Sequence, residues 1–319
     1  MSILKDILPA RFFEVLETGG ICTPKQIIVL SHWDIKKATN LLFDDILLLK
    51  SIVSNYYSPI SVTCDNFQEK TVRIKTGCSS IDNLLRGGFR KGTITEIYGE
   101  SGTGKTQIGL QIAAYCGDEG SVIISTEDIF PVKRFNQINK AIINKSENAD
   151  GGKNTFIEHL MDSHELLSCV RVRLPILLSK NRISTVIIDS VAAPFRSEHT
   201  NYVQRAEELR EFAITLLNLA QEYNLAIICI NQVTASFDGS DDVLPTLGLV
   251  WSNMMSYRFK LRKISETIQS KDSSHHINLR ELTVIYAPDL PSGISAKLLI
   301  TASGVENYYP LIPNKPPSS

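Results

Sequence analysis

The chain has 319 residues, 43% hydrophobic and 21% charged, with a formal net charge of −1. The length allows one large domain and a small one, the composition is that of a soluble globular protein, and near-neutrality excludes a global pull on nucleic acid, so contact with phosphate backbones requires a local basic surface. No apolar run approaches the roughly 20 residues a membrane helix needs, and acid at Asp6 is foreign to a signal peptide; an intracellular protein with no membrane association is expected.

Residues 1–57 alternate apolar patches with short breaks: 9–16 ending at Gly19-Gly20, then 24–30, then a segment opened by Ser31, and a strongly apolar 41–53. Ser31 with Asp34 three residues on reads as an N-cap with an acidic first turn. The expectation is a small N-terminal helical domain of about four short helices, too small to bury much surface alone. Residues 58–70 mix Pro, Ser, Thr and Asn without periodicity and read as a linker.

From residue 71 to 309 the pattern is alternating strands and helices, the signature of an α/β domain with a mostly parallel sheet. Strands are expected at 93–98, 121–126, 184–189 and 225–230, the last three as continuous apolar runs buried on both faces, with helices at 107–114, 156–178 and 202–223. The polar stretches 144–154 and 265–276 read as mobile surface loops, with His275-His276 more in keeping with a loop than a metal site. Residues 310–319 hold four prolines and are expected to be a disordered tail. Six cysteines, Cys22, Cys64, Cys78, Cys116, Cys169 and Cys229, lack C-x-x-C spacing, which argues against zinc or a disulfide framework and for reduced packing residues.

The octapeptide Gly99, Glu100, Ser101, Gly102, Thr103, Gly104, Lys105, Thr106 satisfies the whole G-x-x-x-x-G-K-[ST] pattern between an expected strand and an expected helix. Glycines let the backbone curl so that successive N–H groups face phosphate oxygens, and the positive end of the helix dipole faces the same anion. ATP and Mg²⁺ are the expected ligands, with Lys105 on the β- and γ-phosphates and Thr106 on the metal.

Hydrolysis needs in addition a metal-positioning acid and a group that orients water. Asp189 ends one apolar strand and suits the Mg²⁺ shell; Glu127 follows a second and suits a base toward water; Gln232 follows a third and suits a γ-phosphate sensor. Each has an alternative: Asp189-Ser190 as a helix cap, Glu127-Asp128 as an N-cap pair, Gln232 as a partner of loop backbone. For DNA, Arg258, Lys260 and Arg262 would share one face of a strand while Phe259 and Leu261 face the core, an arrangement equally that of a solvated edge. Arg171 and Arg173 give a weaker version.

Phosphate loop, strand-Thr-Glu, a hydrophobic strand ending Asp-Ser, then Asn-Gln-Val resembles, in this order, the core of RecA-type recombinases. Residues 72–88, Thr126-Glu-Asp-Ile-Phe-Pro-Val-Lys-Arg134, Phe156-Ile-Glu-His159, Pro175-Ile-Leu-Leu-Ser179 and Asp189-Ser-Val-Ala-Ala-Pro-Phe-Arg196 narrow the resemblance to the eukaryotic recombinase paralogues, across nearly the whole chain. The resemblance implies a RecA-like P-loop ATPase core and a role in homologous recombination at double-strand breaks, stalled forks and Holliday junctions. It implies single-stranded and branched DNA, the main recombinase filament and a C-type recombinase paralogue, in a heterodimer, as partners, and the nucleus, with some cytoplasmic protein, as location. Nucleotide would lie near the subunit boundary, capped by a neighbour, with residues 286–291 in the place of the cap.

The resemblance also maps two DNA loops, to about 197–205 and 234–247. The first lacks glycine and the second carries Asp238, Asp241 and Asp242, which repel phosphate and argue against strand exchange by this chain alone. The linker lacks a Phe-x-x-Ala docking pattern, offering only Ile60 and Val62, so long homofilaments are not expected. Asp128 stands where the family has glycine, which points to slow turnover. The sequence thus predicts a weak DNA-dependent ATPase in which Gln232 couples the γ-phosphate to the second loop. The alternatives are a nucleotide-stabilised scaffold subunit and, more remotely, a P-loop kinase or hexameric helicase.

Overall fold

Alternation of apolar residues to opposite sides of each strand, with helices on both, organises most of this chain. In the computed structural model, residues 4–58, 61, 63–66, 71–117, 119–145, 152, 154–195, 202–235, 243–269 and 276–309 are described. The chain divides into two units, Met1–Lys70 and Thr71–Ser319.

The first unit holds five α-helices among its described residues, α1 (Leu4–Ile7), α2 (Ala10–Thr18), α3 (Pro24–Val29), α4 (His32–Thr39) and α5 (Phe43–Tyr57), and a 3-10 turn at Cys64–Asn66. Thr23 and Ser31 each close a capping box, with Gln26 and Asp34 respectively, satisfying amide donors that a helix start leaves open. Phe12, Leu16, Ile27, Ile35, Ile46, Leu49 and Val53 form a continuous buried core.

The second unit runs β1 (Arg73–Ile74), α6 (Ser79–Leu84), β2 (Phe89–Arg90), β3 (Thr93–Tyr98), α7 (Lys105–Tyr115), β4 (Gly120–Ser125), α8 (Val132–Lys145), β5 (Thr155–His159), α9 (Ser163–Ser168), α10 (Leu174–Lys180), β6 (Ile183–Asp189), α11 (Tyr202–Glu222), β7 (Ala226–Asn231), β8 (Val233–Ala235), β9 (Val243–Pro245), α12 (Gly248–Ser252), β10 (Tyr257–Gln269), β11 (His276–Tyr286), β12 (Ser295–Thr301) and β13 (Gly304–Asn307). Nine strands form one sheet in the order β13-β12-β11-β10-β3-β7-β6-β4-β5. From β10 to β5 every neighbour is parallel; from β10 to β13 every neighbour is antiparallel. Connections long enough to hold helices permit parallel crossovers, and the short ones after β10 permit only hairpins. This is the expected α/β architecture with a mostly parallel sheet. Val122, Val186, Ile188 and Ile227 pack on one face against Phe212 and Leu216 of α11. Ile123, Ile187, Ile228 and Ile230 pack on the other against Ile108 and Ile112 of α7.

Two expectations are corrected. Residues 156–159 are not the start of a helix but most of β5, the strand that ends the sheet beside β4. The helical run begins at Ser163 and passes through a π-helical turn, Cys169–Arg173, into α10. An edge strand with half-exposed residues carries too little apolar signal to separate it from the helix that follows. The stretch 265–276 is strand at both ends, because β10 and β11 continue their pairing to Gln269↔His276. A ribbon projecting past the sheet has no core face to write into its sequence. Ile60 and Val62, His275, Arg196, residues 197–201 and 236–242 of the two mapped loops, most of 144–154 and the tail 310–319 lie outside the described residues.

Candidate nucleotide site

Because β3, β4, β6 and β7 are parallel, their carboxyl ends share one edge of the sheet, where open α/β folds place ligands. Tyr98 hands the chain to the phosphate loop, and the loop hands it to α7 at Lys105. Two of its glycines are required by shape. A Cβ on Gly99 would stand 2.1 Å from the Leu261 carbonyl oxygen of β10, and Gly104 has φ +104° with Ile300 Cδ1 2.0 Å from where its Cβ would be. Glu100, Ser101 and Gly102 form the exposed lip, whereas Thr103 and Lys105 are buried beneath it. The Thr103 hydroxyl donates to the Glu100 carbonyl at 2.9 Å, fixing the turn.

Lys105 Nζ donates to the carbonyls of Gly99 at 2.7 Å and Glu100 at 2.9 Å. Burial pushes its ammonium below the ordinary lysine range, opposed by the negative charges of Asp189, Glu127 and Glu100. Thr106 Oγ1 donates to Asp189 Oδ2 at 2.6 Å. Desolvation pushes Asp189 above the ordinary carboxylate range, partly offset by that hydrogen bond. The residues fit a magnesium nucleotide: a curled backbone no Cβ would allow, a desolvated ammonium, and two adjoining hard oxygen donors of the kind Mg²⁺ prefers.

Glu127, two residues past the end of β4, accepts from Ser190 Oγ at 3.0 Å and from the side-chain amide of Gln232. Thr126 ties the strand ends together: its N–H donates to the Asp189 carbonyl at 2.9 Å, its hydroxyl to the Ser190 carbonyl at 2.6 Å, and it accepts from the Ser190 N–H at 2.9 Å. The Asp189–Ser190 peptide is cis. The structure thus brings Lys105, Thr106 and Asp189 together, and Glu127 with Gln232. Sequence reasoning missed Ser190, although the Asp-Ser pair was in view, and missed Arg134, whose guanidinium spans Gln107 Oε1 at 2.6 Å and the carbonyls of Thr301 and Ala302 at 2.7 Å.

The basic stripe is different. Phe259 and Leu261 face the core at 1% and 0% exposure, but Arg258 is corrected from a surface cation to an internal one. Its Nε donates to Oε2 of the fully buried Glu96 at 2.7 Å and its guanidinium lies 5.4 Å from the Tyr98 ring centre. Glu96 Oε1 also accepts from Asn231 Nδ2 at 2.7 Å and Trp251 Nε1 at 3.0 Å. The reason is strand order: β10 lies between β3 and β11, not at an edge. Lys260 is half-buried on the same face, and Arg262 is exposed and paired with Glu281 through Nε at 2.6 Å. Arg171 and Arg173 pair with Glu211 and Glu158. Of the segment 286–291, Tyr286 sits opposite Arg258 in register, Leu290 is buried and Asp289 pairs with Arg73.

A family model described as Rad51 matches residues 67–305, a span that holds the phosphate loop, Glu127, Asp189 and Gln232. The chain is 31% identical over 330 residues to the DNA repair protein XRCC3 of Bos taurus, covering 93% of this chain and 95% of that protein. The XRCC3 of Mus musculus is 31% identical over 321 residues, at 89% and 92% coverage. The DNA repair protein rhp57 of Schizosaccharomyces pombe is 26% identical over 348 residues, at 92% and 95%. Matched over residues 67–305 and 31% identical to both XRCC3 proteins, the chain belongs to the Rad51 family.

Proposed function

We propose that this chain is an ATP-binding subunit of a homologous-recombination complex, working with single-stranded and branched DNA at double-strand breaks, stalled forks and Holliday junctions. Its proposed partners are a C-type recombinase paralogue, in a heterodimer, and the main recombinase filament; its proposed location is the nucleus, with some cytoplasmic protein. Relatives named as DNA repair proteins and membership of a family whose members are generally ATPases support this reading.

The observation that carries it is the assembly of Lys105, Thr106 and Asp189 at one sheet edge beside Glu127 and Gln232. Lys105 and the loop residues 99–104 would hold the phosphates; Thr106 and Asp189 would hold Mg²⁺. Bound there, the magnesium nucleotide supplies the phosphoanhydride bond and the charge neutralisation its cleavage needs. Glu127 orients water, Gln232 reports the γ-phosphate to the second DNA loop, and residues 286–291 cap a neighbour's nucleotide. Lys260 and Arg262 are the remaining candidates for phosphate-backbone contact.

A second reading is a nucleotide-stabilised scaffold with little turnover, favoured by the two donors that already engage Oε1 of Glu127. The test is ATP turnover of the purified complex, with and without single-stranded DNA, against its Lys105→Ala version. Loss of DNA-stimulated turnover in the variant supports the ATPase; unchanged turnover assigns the activity to the partner and leaves this chain the scaffold.

A further inference from the structure

The phosphate loop is held from outside by a hairpin that the nucleotide-site reading does not use. Strands β10 and β11 pair Leu261 with Leu282 and, one step further, Lys263 with Arg280. Residues two apart share a face, so the side that is leucine at 0% exposure over the core becomes cationic where it passes the loop. Lys263 Nζ stands 3.4 Å from where a Cβ of Gly102 would be. Arg280 Nε donates to the Thr103 carbonyl at 2.9 Å, and its Nη1 holds the hairpin's own carbonyls, Asn278 at 2.8 Å and Leu279 at 3.4 Å. Among the described residues all of its hydrogen bonds go to carbonyl oxygens, since Glu281 on the opposite face is occupied by Arg262.

In a trans peptide the carbonyl and the following N–H point in opposite directions. A Thr103 carbonyl held toward the hairpin therefore turns the Gly104 N–H away from the hairpin, which frees it to face the anion that the nucleotide-site reading places there. We infer that Arg280 is a positioning residue of the phosphate loop: it locks the Thr103–Gly104 peptide from behind and so presets the anion-binding face. The charge makes this a strong hydrogen bond, and presetting a binding loop raises affinity by removing the ordering that binding would otherwise require. Burial, which pushes the guanidinium below its ordinary range, fits a group facing the protein rather than water. The inference rests on the nucleotide-site reading and adds to it a residue 177 positions from the loop residue it holds.

The test is binding of a fluorescent ATP analogue to the full chain in its purified complex, for wild type, Lys105→Ala, Arg280→Ala and Arg280→Lys, together with the nucleotide-free Tm of each. The expected result is a Kd raised about tenfold for Arg280→Ala and about threefold for Arg280→Lys, with nucleotide-free Tm within about 2 °C of wild type. A merely structural arginine would lower the Tm and leave the Kd of the folded protein unchanged. If Lys105→Ala weakens binding while both Arg280 variants stay within twofold of wild type, the inference alone is overturned. If wild type and Lys105→Ala bind the probe equally, the nucleotide-site reading fails and the inference falls with it.

Discussion

The side-chain amide of Gln232 donates to the same oxygen of Glu127, Oε1, that accepts from Ser190 Oγ at 3.0 Å. The group proposed to orient water and the group proposed to sense the γ-phosphate are thus partners of one another. A ligand that draws the amide away would free a carboxylate lone pair at the same moment, so the two residues are expected to respond together rather than independently.

Glu127→Gln keeps the shape and removes the charge. ATP turnover is expected to fall about 10²–10⁴-fold with nucleotide affinity unchanged, and Gln232→Ala to keep binding but lose stimulation by single-stranded DNA. Steady-state turnover alongside direct binding measures both; wild-type turnover in Glu127→Gln would favour the scaffold.

Asp189→Asn retains an acceptor for Thr106 and loses the carboxylate. The expected consequence is loss of the Mg²⁺-dependent part of ATP affinity, read as the difference between titrations with magnesium and with EDTA. An unchanged difference would place the metal elsewhere.

Removing Glu96 leaves the Arg258 guanidinium, only 16% exposed, without its counter-charge. Glu96→Ala is expected to destabilise the core by about 3–5 kcal/mol, measured by denaturant unfolding. Arg262→Ala removes the exposed partner of Glu281, whose 13% exposed side chain keeps its hydrogen bond from Ser295; it is expected to cost less stability than Glu96→Ala and to lower single-stranded DNA affinity with a shallower salt dependence. Equal DNA affinity in wild type and Arg262→Ala would remove Arg262 from the interface.

Gly99→Ala would drive a Cβ to 2.1 Å from the Leu261 carbonyl, whereas Gly92, at φ +75°, has nothing within 4 Å of the same position. Gly92→Ala is therefore expected to cost only the left-handed penalty of about 1–2 kcal/mol, and Gly99→Ala to lower Tm further and to weaken nucleotide binding. The two melting curves, recorded side by side, decide it.

The thiol of Cys169 is pushed up to about 12 by burial and by its hydrogen bond to Glu158, while Cys22 and Cys64 are exposed. A raised pKa leaves almost no thiolate at pH 8. In the native protein Cys22 and Cys64 are expected to react quickly with a disulfide reagent at that pH and Cys169 only on unfolding. Fast labelling of Cys169, read by peptide mass, would contradict its burial.

The phosphate loop, the strands ending at Asp189 and before Gln232, and the capping of α4 by Ser31 were legible in the sequence because each is written by residues within a few positions of one another. Spacing fixes which face a side chain takes, and spacing survives in a linear string. The partners of those side chains are another matter. Arg258 meets Glu96 across 162 positions, Asn231 meets Glu96 across 135, and Gln232 meets Glu127 across 105. Alternation correctly put Arg258 on the face opposite Phe259, yet only the order of strands decided that this face meets a buried carboxylate rather than solvent. Strand order is set by long-range pairing and crossover, so the reach of Arg258, of Arg280 and of the Glu127–Gln232 pair belongs to the tertiary structure, as does the identity of β5, whose exposed edge left no apolar pattern to read.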